Sequence, residues 1–293
     1  PRGPAPRVRG ALKTHTHTHT ISNCRVYSVY CKLEKRVFAS MALRGKEGPG
    51  AGGGNTAVAR APAGMTLVPR RGDRANRAIL RRVRRIVKKV EVLVNEDGAL
   101  VYLVPSLLPI DEADVLFRRL HGCGLWERAC DDFGPQQRLS TYWGDERCIF
   151  SYVGLVCQPH AWPAFVRGVR RRLNDTIASA HDTALTGCLA NNYEAGDGEI
   201  VWHRDEVRAH GPAKLVVSLS TGGERPFLLR HSATGRELRV PLPVGSALMM
   251  AGDTQRLWEH ALPLEPGAPH RISLTFRSIE AGFEEGQEPP HLL

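Results

Sequence analysis

No run of about 18 apolar residues occurs anywhere in this 293-residue chain, so no transmembrane helix is expected. The first 40 residues also lack the continuous apolar stretch of a secretory signal. The expectation is a soluble, intracellular protein with no membrane partner. Cys-x-x-Cys pairs are absent, and the seven cysteines (Cys24, Cys31, Cys123, Cys130, Cys148, Cys157 and Cys188) are odd in number, which argues against a disulfide framework and a zinc ribbon. They read as reduced, mostly buried thiols. Position 1 is not Met, and Met41, followed by Ala42, is a candidate true start. The Thr/His alternation from Thr14 to Thr20 could chelate a metal but reads more simply as translation through a two-base repeat.

What is present is unevenly charged. The net +10 is made of +7 over residues 1–40, +2 over 41–69 and +8 over 70–93, which leaves −7 on residues 94–293. A basic arm on a mildly acidic body suits a protein that meets a polyanion or an import receptor. Residues 1–69, with Gly, Pro and Ala clusters such as 48–54, cannot bury enough apolar surface to offset ordering entropy and are expected to be a disordered arm. Residues 70–93 read as a basic segment with Ile79, Leu80, Val83, Ile86, Val87 and Val90 close to helical spacing. Such a helix suits nuclear localisation or phosphate contact, a mitochondrial presequence, or a solvated charged face; the nucleus is expected, with mitochondrion or cytoplasm as alternatives. The body is expected over 94–281, followed by a flexible tail at 282–293. With 42% hydrophobic residues in the chain, it can bury a sizeable core.

Within the body, Val90–Val94 and Ala99–Val104 read as strands around a turn at Asn95-Glu96-Asp97-Gly98. Asp111 opens a helix through His121 that Gly122 stops, and a second helix runs from Pro163 to about Ala178. Short strands then follow in quick succession: Cys188–Tyr193, Ile200–Arg204, Lys214–Ser220, Pro226–His231, Glu237–Leu242, Ala247–Met250 and Ile272–Arg277. Many short strands with tight turns point to a jelly roll or barrel, a mainly β (α+β) fold with flanking N-terminal helices.

His203-Arg204-Asp205 lies on one of these strands, and His260 follows fifty-seven residues after His203. Residues i and i+2 of a strand share a face, so His203 and Asp205 can bind one ion while Arg204 points away. Two histidines and a carboxylate make the facial triad of non-haem iron(II) oxygenases. Alone, this signal is weak, because His-x-Asp recurs by chance. The strand Arg271-Ile272-Ser273-Leu274-Thr275-Phe276-Arg277 adds to it, since polar and apolar residues alternate through all seven positions. Its polar face carries two arginines that suit a dicarboxylate such as 2-oxoglutarate, although an ordinary half-exposed strand would show the same alternation.

Asn191-Asn192-Tyr193, His203-Arg204-Asp205, His260, and Arg271 and Arg277 in a Leu-Thr-Phe-Arg ending resemble the AlkB family in order and approximate spacing. The resemblance extends to Arg138–Asp145 and Ser218-Leu219-Ser220, covers about residues 99–281, and is closest to the eukaryotic DNA-repair branch. It implies a double-stranded β-helix (jelly roll) with helices on one side, and oxidative demethylation of N-alkylated bases of the 1-methyladenine/3-methylcytosine type. Fe(II), 2-oxoglutarate and O2 would be used, and a monomer would act on methylated DNA or RNA with the target base flipped or single-stranded. By resemblance, His203, Asp205 and His260 hold iron; Asn191, Tyr193, Arg271, Ser273 and Arg277 bind 2-oxoglutarate. Arg138, Tyr142, Phe150, Tyr152 and Glu206 meet the substrate. Phe150 and Tyr152 are also readable as ordinary core aromatics. Glu206 is followed by Val207 where the repair branch typically continues with acids, which leaves Glu206 alone there to read an exocyclic amine. The rival readings are the same chemistry on methylated RNA or a protein side chain, a catalytically silent base-binding module, and a metal-binding cupin without 2-oxoglutarate.

Overall fold

The computed structural model describes residues 71–281 apart from 132–133, 153–154, 195–197, 208–210 and 213–214. The expected arm at 1–69, its Thr/His repeat, Met41 and the tail at 282–293 lie outside the described residues. In chain order the elements are helix α1 (Arg71–Ile86), strands β1 (Glu91–Glu96) and β2 (Ala99–Val104), and helix α2 (Ile110–His121). Strands β3 (Cys130–Asp131), β4 (Gly134–Pro135), β5 (Leu139–Gly144), β6 (Phe150–Tyr152) and β7 (Leu155–Cys157) precede helix α3 (Ala164–Thr176). After it come β8 (Gly187–Tyr193), β9 (Ile200–His203), β10 (Glu206–Val207), β11 (Gly211–Pro212), β12 (Leu215–Gly222), β13 (Arg225–His231), β14 (Glu237–Leu242) and β15 (Ala247–Gly252). A single helical turn α4 (Thr254–Leu257), β16 (Trp258–Leu262) and β17 (Arg271–Arg277) complete the order.

Two antiparallel sheets make the jelly roll. The major one has seven strands in the order β1-β2-β15-β12-β17-β8-β5, and the minor one four, β14-β13-β16-β9. The alternation of each strand decides what it covers. Along β2, Leu100, Tyr102 and Val104 pack under the helices, whereas Val101 and Leu103 face the minor sheet. Along β17, Ile272, Leu274 and Phe276 go to the helix side and leave the polar residues facing between the sheets. Helices α1, α2 and α3 therefore cover one face of the major sheet, through Leu80, Val83, Leu116, Leu120, Val166 and Leu173. The β1–β2 turn uses Asp97 and Gly98 at positive φ (48° and 86°), the backbone that a two-residue hairpin requires. A side chain at Gly98 would also meet the Asp253 carboxylate at 2.5 Å.

Three expectations change in the structure. The segment read as a separate basic stretch contains α1, whose Leu80 and Val83 belong to the same core as the sheet. Asn76 on α1 is buried and donates to Asn95 Oδ1 and the Ala99 carbonyl. The strand expected over Ile200–Arg204 ends at His203, so Asp205 lies just beyond it. Of the five described cysteines, all free, only Cys148 and Cys188 are buried, while Cys130 is exposed.

Candidate active site

The candidate metal-binding residues meet where β9 and β16 pair. His203 and His260 are direct cross-strand partners, which sets their rings 4.1 Å apart between centroids. Asp205 lies in the two-residue link between β9 and β10, where its backbone N–H donates to Gln255 Oε1 at 2.9 Å. The result replaces the simple strand periodicity expected from sequence. One histidine comes from across the sheet and the carboxylate from that link, and the three ligand atoms lie within 4.8 Å of one another. Because a carbonyl can only accept, the 2.8 Å contact between His203 Nδ1 and the Val201 carbonyl fixes the proton on Nδ1 and the lone pair on Nε2. The Phe227 ring stacks on His260 at 5.3 Å and excludes water from that side.

The electrostatics suit a cation. Asp205 and His260 are both buried, at 4% exposure. Burial, then the neighbouring His203, lowers His260 to about 3, and burial also lowers His203, so both imidazoles are neutral ligands at neutral pH. Burial pushes the Asp205 carboxyl up, but Arg277 and the two histidines outweigh it and hold the group at about 2. One Asp205 oxygen accepts from Arg277 at 2.6 Å. The other, Oδ2, is buried without a hydrogen-bond partner among the described residues. An ionised, desolvated carboxylate oxygen beside two neutral imidazoles is a donor set suited to one divalent ion, and two nitrogens with one oxygen fit Fe(II) with coordination positions to spare.

The dicarboxylate site is built across β8, β17 and β12. Arg271 pairs with Tyr193 and Ser273 with Asn191 in the ladder, so the four side chains form one polar patch in the cavity. Arg271 is 2% exposed, lies over the Tyr193 ring at 5.4 Å, donates to Ser220 Oγ, and keeps a buried Nε without a partner. The β17 face that could have been a half-exposed strand is thus a buried cavity wall. Arg277 sits at the other end, committed to Asp205 and 4.9 Å from the Phe150 ring centroid. It is paired with the candidate metal carboxylate, which leaves Arg271 as the candidate cation for the far carboxylate of 2-oxoglutarate.

The expected substrate residues separate. Phe150 and Arg138 line the cavity, and Arg138 Nε donates to Asn191 Oδ1 at 2.9 Å. Tyr142 is not brought to it. Its ring packs 5.7 Å from that of Phe150, in a small cluster with Cys148, Leu189 and Ile279, and its hydroxyl donates to the Cys148 carbonyl at 2.6 Å. The side chains of Tyr152 and Glu206 lie outside the described residues. Sequence reasoning missed Gln255, which holds the Asp205 link, and Arg225, which is fully buried and 5.8 Å from the Tyr193 ring centroid. Neither stands in a motif; only the fold brings them to the site.

Comparison with known proteins agrees with this geometry. A model of the 2OG-Fe(II) oxygenase superfamily matches residues 101–277. The alpha-ketoglutarate-dependent dioxygenase alkB homolog 3 of Homo sapiens is 27% identical over 193 residues, 61% of this chain and 66% of that protein. The DNA oxidative demethylase ALKBH2 of Mus musculus is 32% identical over 185 residues, 57% of this chain and 75% of that protein. Among solved structures, OsALKBH1 is 19% identical, with a TM-score of 0.47 over 61% of this chain and 97% of that one. The chain spans just under two thirds of the length of the alkB homolog 3 relatives it matches.

Proposed function

The chain belongs to the 2OG-Fe(II) oxygenase superfamily and within it to the AlkB family, and from that premise we propose that it demethylates N-alkylated nucleic-acid bases, of the 1-methyladenine and 3-methylcytosine type, in DNA repair. The observation that carries the reading is the buried triad His203, Asp205 and His260 facing the Arg271 patch across one cavity. A silent binding module has no use for an orphaned carboxylate oxygen beside two neutral histidines, and a cupin without 2-oxoglutarate leaves the partnerless Arg271 Nε unexplained. The ALKBH2 relatives in human and mouse are named DNA oxidative demethylases, which supports a nucleic-acid substrate.

Fe(II) held here would let O2, the oxidant, react at the expense of 2-oxoglutarate, which would be oxidised to succinate and CO2 with one oxygen atom while the other hydroxylates the N-methyl carbon. This chain's residues prepare that chemistry. His203, Asp205 and His260 hold the metal, and Arg277 keeps Asp205 ionised in its dry setting. Arg271, Tyr193, Asn191 and Ser273 fix the orientation of the dicarboxylate. Phe150 offers a ring against which a cationic methylated base gains from stacking. The hydroxymethyl base then loses formaldehyde: its hydroxyl gives up a proton, the C–N bond breaks, and the bonding pair returns to the base nitrogen as the lone pair of the unmodified base. The test is mass spectrometry of oligonucleotides that each carry one methylated base, DNA and RNA in parallel, after incubation with protein, Fe(II) and 2-oxoglutarate. Loss of 14 mass units from a 1-methyladenine or 3-methylcytosine strand, roughly one methylene, is the expected result. Succinate release with no change in any nucleic acid would be uncoupled turnover and would count against a methylated base as the substrate.

A further inference from the structure

We propose that the exposed arginine stripe of α1 is a second nucleic-acid surface, which holds phosphate backbone on the side of the major sheet opposite the active-site cavity. It rests on the demethylase reading above. On a helix that turns 100° per residue, Arg74, Arg77, Arg81, Arg84 and Arg85 fall within an arc of about 100°, and all five are exposed. No acid occurs from Arg74 to Ile86. Among the described residues of α1, Arg82 is the arginine with an ion pair, and it points elsewhere and meets Asp182 at 3.0 Å. None of the five has an ion-pair partner among the described residues.

This arrangement is unfavourable by itself. Arg77 with Arg81, and Arg81 with Arg85, are like-charge pairs one turn apart, which destabilise a helix, and no acid relieves them. A local choice that conflicts with local stability marks a functional surface. A polyanion removes the conflict: the stripe runs for about 16 Å, roughly the length of five base pairs, and each neutralised phosphate releases a counterion. Arginine, whose planar fork matches phosphate oxygens, is the residue used at every position of the stripe. The body beyond residue 93 is at −7, so this helix is also where a polyanion is attracted rather than repelled.

The packing of α1 favours this partner over the others that suit a basic amphipathic helix. Leu80 and Val83 are at 5% and 0% exposure in the core, so the apolar side that a presequence receptor or a lipid surface would take is not on offer. The charged side faces out, and Ile86 at the end of the helix is its one exposed large apolar residue among the described residues. Because Leu80 and Val83 contact the helix-side core while the cavity opens between the sheets, the two surfaces flank the major sheet. A short strand therefore reaches the cavity alone. A long one reaches both.

The experiment uses the full chain and two variants, one with Arg74→Gln, Arg77→Gln, Arg81→Gln and Arg84→Gln together, the other with Lys at the same four positions. Binding to an oligonucleotide of about 30 nucleotides is measured against salt, and turnover on one of about 5. The Gln variant is expected to lose slope in the log–log plot, roughly 0.7 to 0.9 per phosphate contact removed, and the Lys variant to keep most of it. Turnover on the short strand should be unchanged in both, which also shows that both are folded. An unchanged slope in the Gln variant overturns the proposal, as does an equal loss in the Lys variant. Wild-type binding to anionic phospholipid vesicles that the Gln variant loses, with its nucleic-acid slope intact, assigns the surface to a membrane instead. Wild-type protein that turns over no strand at all refutes the demethylase reading and leaves the slope comparison to be read separately.

Discussion

Asp205 answers to two cations at once. Its Oδ1 accepts from Arg277, and its partnerless Oδ2 sits 3.7 Å from His260 Nε2, where a metal would take it. Because its folded carboxyl lies near 2, below the ordinary 3.8, its contribution to stability is present above pH 3.8 and is lost as pH falls towards 2. Arg277→Ala strands that buried carboxylate, and breaking such a pair by removing one partner typically costs about 3–5 kcal/mol. The metal-free variant should therefore melt well below wild type, and Fe(II) or Mn(II) should raise its Tm by more than it raises that of wild type. Equal metal-induced shifts would show that Arg277 does not govern the charge of Asp205. Arg271→Ala removes a charge-assisted contact worth about 1.5–3 kcal/mol, so the 2-oxoglutarate needed for half-maximal turnover should rise by roughly 10-fold to 150-fold, with kcat less affected. An unchanged requirement would take Arg271 out of the dicarboxylate site. At this scale the motif residues were readable because each combines a chemically specific side chain with a fixed spacing. Arg225 and Gln255 were not, since neither its neighbours nor its spacing distinguishes either residue from an ordinary strand arginine or a surface glutamine.

At the scale of elements, alternation was the readable signal. Seven consecutive alternating residues located β17 and its polar face, and Glu237–Leu242 was bounded as the structure has it. The strand β16 carries His260, yet it escaped notice. Trp258, His260 and Leu262 share its inner face, and a polar residue at the centre of that face interrupts the pattern that marks a strand. The extent of the folded body was misjudged for the opposite reason. The charge of residues 70–93 hid an apolar side, which only its contact with the sheet reveals. Leu80→Ala should therefore lower stability by about 2–5 kcal/mol, as for a core leucine, when followed by urea unfolding. A loss of under about 0.5 kcal/mol, typical of a surface position, would show that α1 is peripheral to the fold. The joint between α1 and the turn after α3 adds a pH signature. His181, bonded to the Tyr102 hydroxyl at 2.7 Å, is lowered by burial to about 4 from 6.5. The unfolded chain then takes up a proton there that the folded one refuses, so stability should fall as pH drops from 6.5 to 4. His181→Gln should flatten that part of the urea-stability profile, and an unaltered slope would show that His181 is protonated normally in the fold.

The molecule as a whole joins a jelly roll that carries its chemistry between two sheets to a helical layer that carries positive charge behind one of them. The family, the fold and the cofactor set were legible because they depend on few residues in fixed order. Substrate contacts were less so: Tyr142, read as part of the substrate face, packs against Phe150 at the side of the cavity and has its hydroxyl tied to the Cys148 carbonyl. That difference follows from the physics. Metal and carboxylate recognition demand particular atoms, whereas a base pocket is mostly shape. The central claim is that the triad and the Arg271 patch couple 2-oxoglutarate consumption to loss of a methyl group from a base. It is tested most directly by counting succinate and restored base in one incubation of wild-type protein with a 1-methyladenine or 3-methylcytosine oligonucleotide, beside Asp205→Ala. The account predicts equal amounts of succinate and restored base for wild type, and neither for Asp205→Ala in a protein that still melts cooperatively. Restored base formed by Asp205→Ala, or base restored by wild type without succinate, would contradict it.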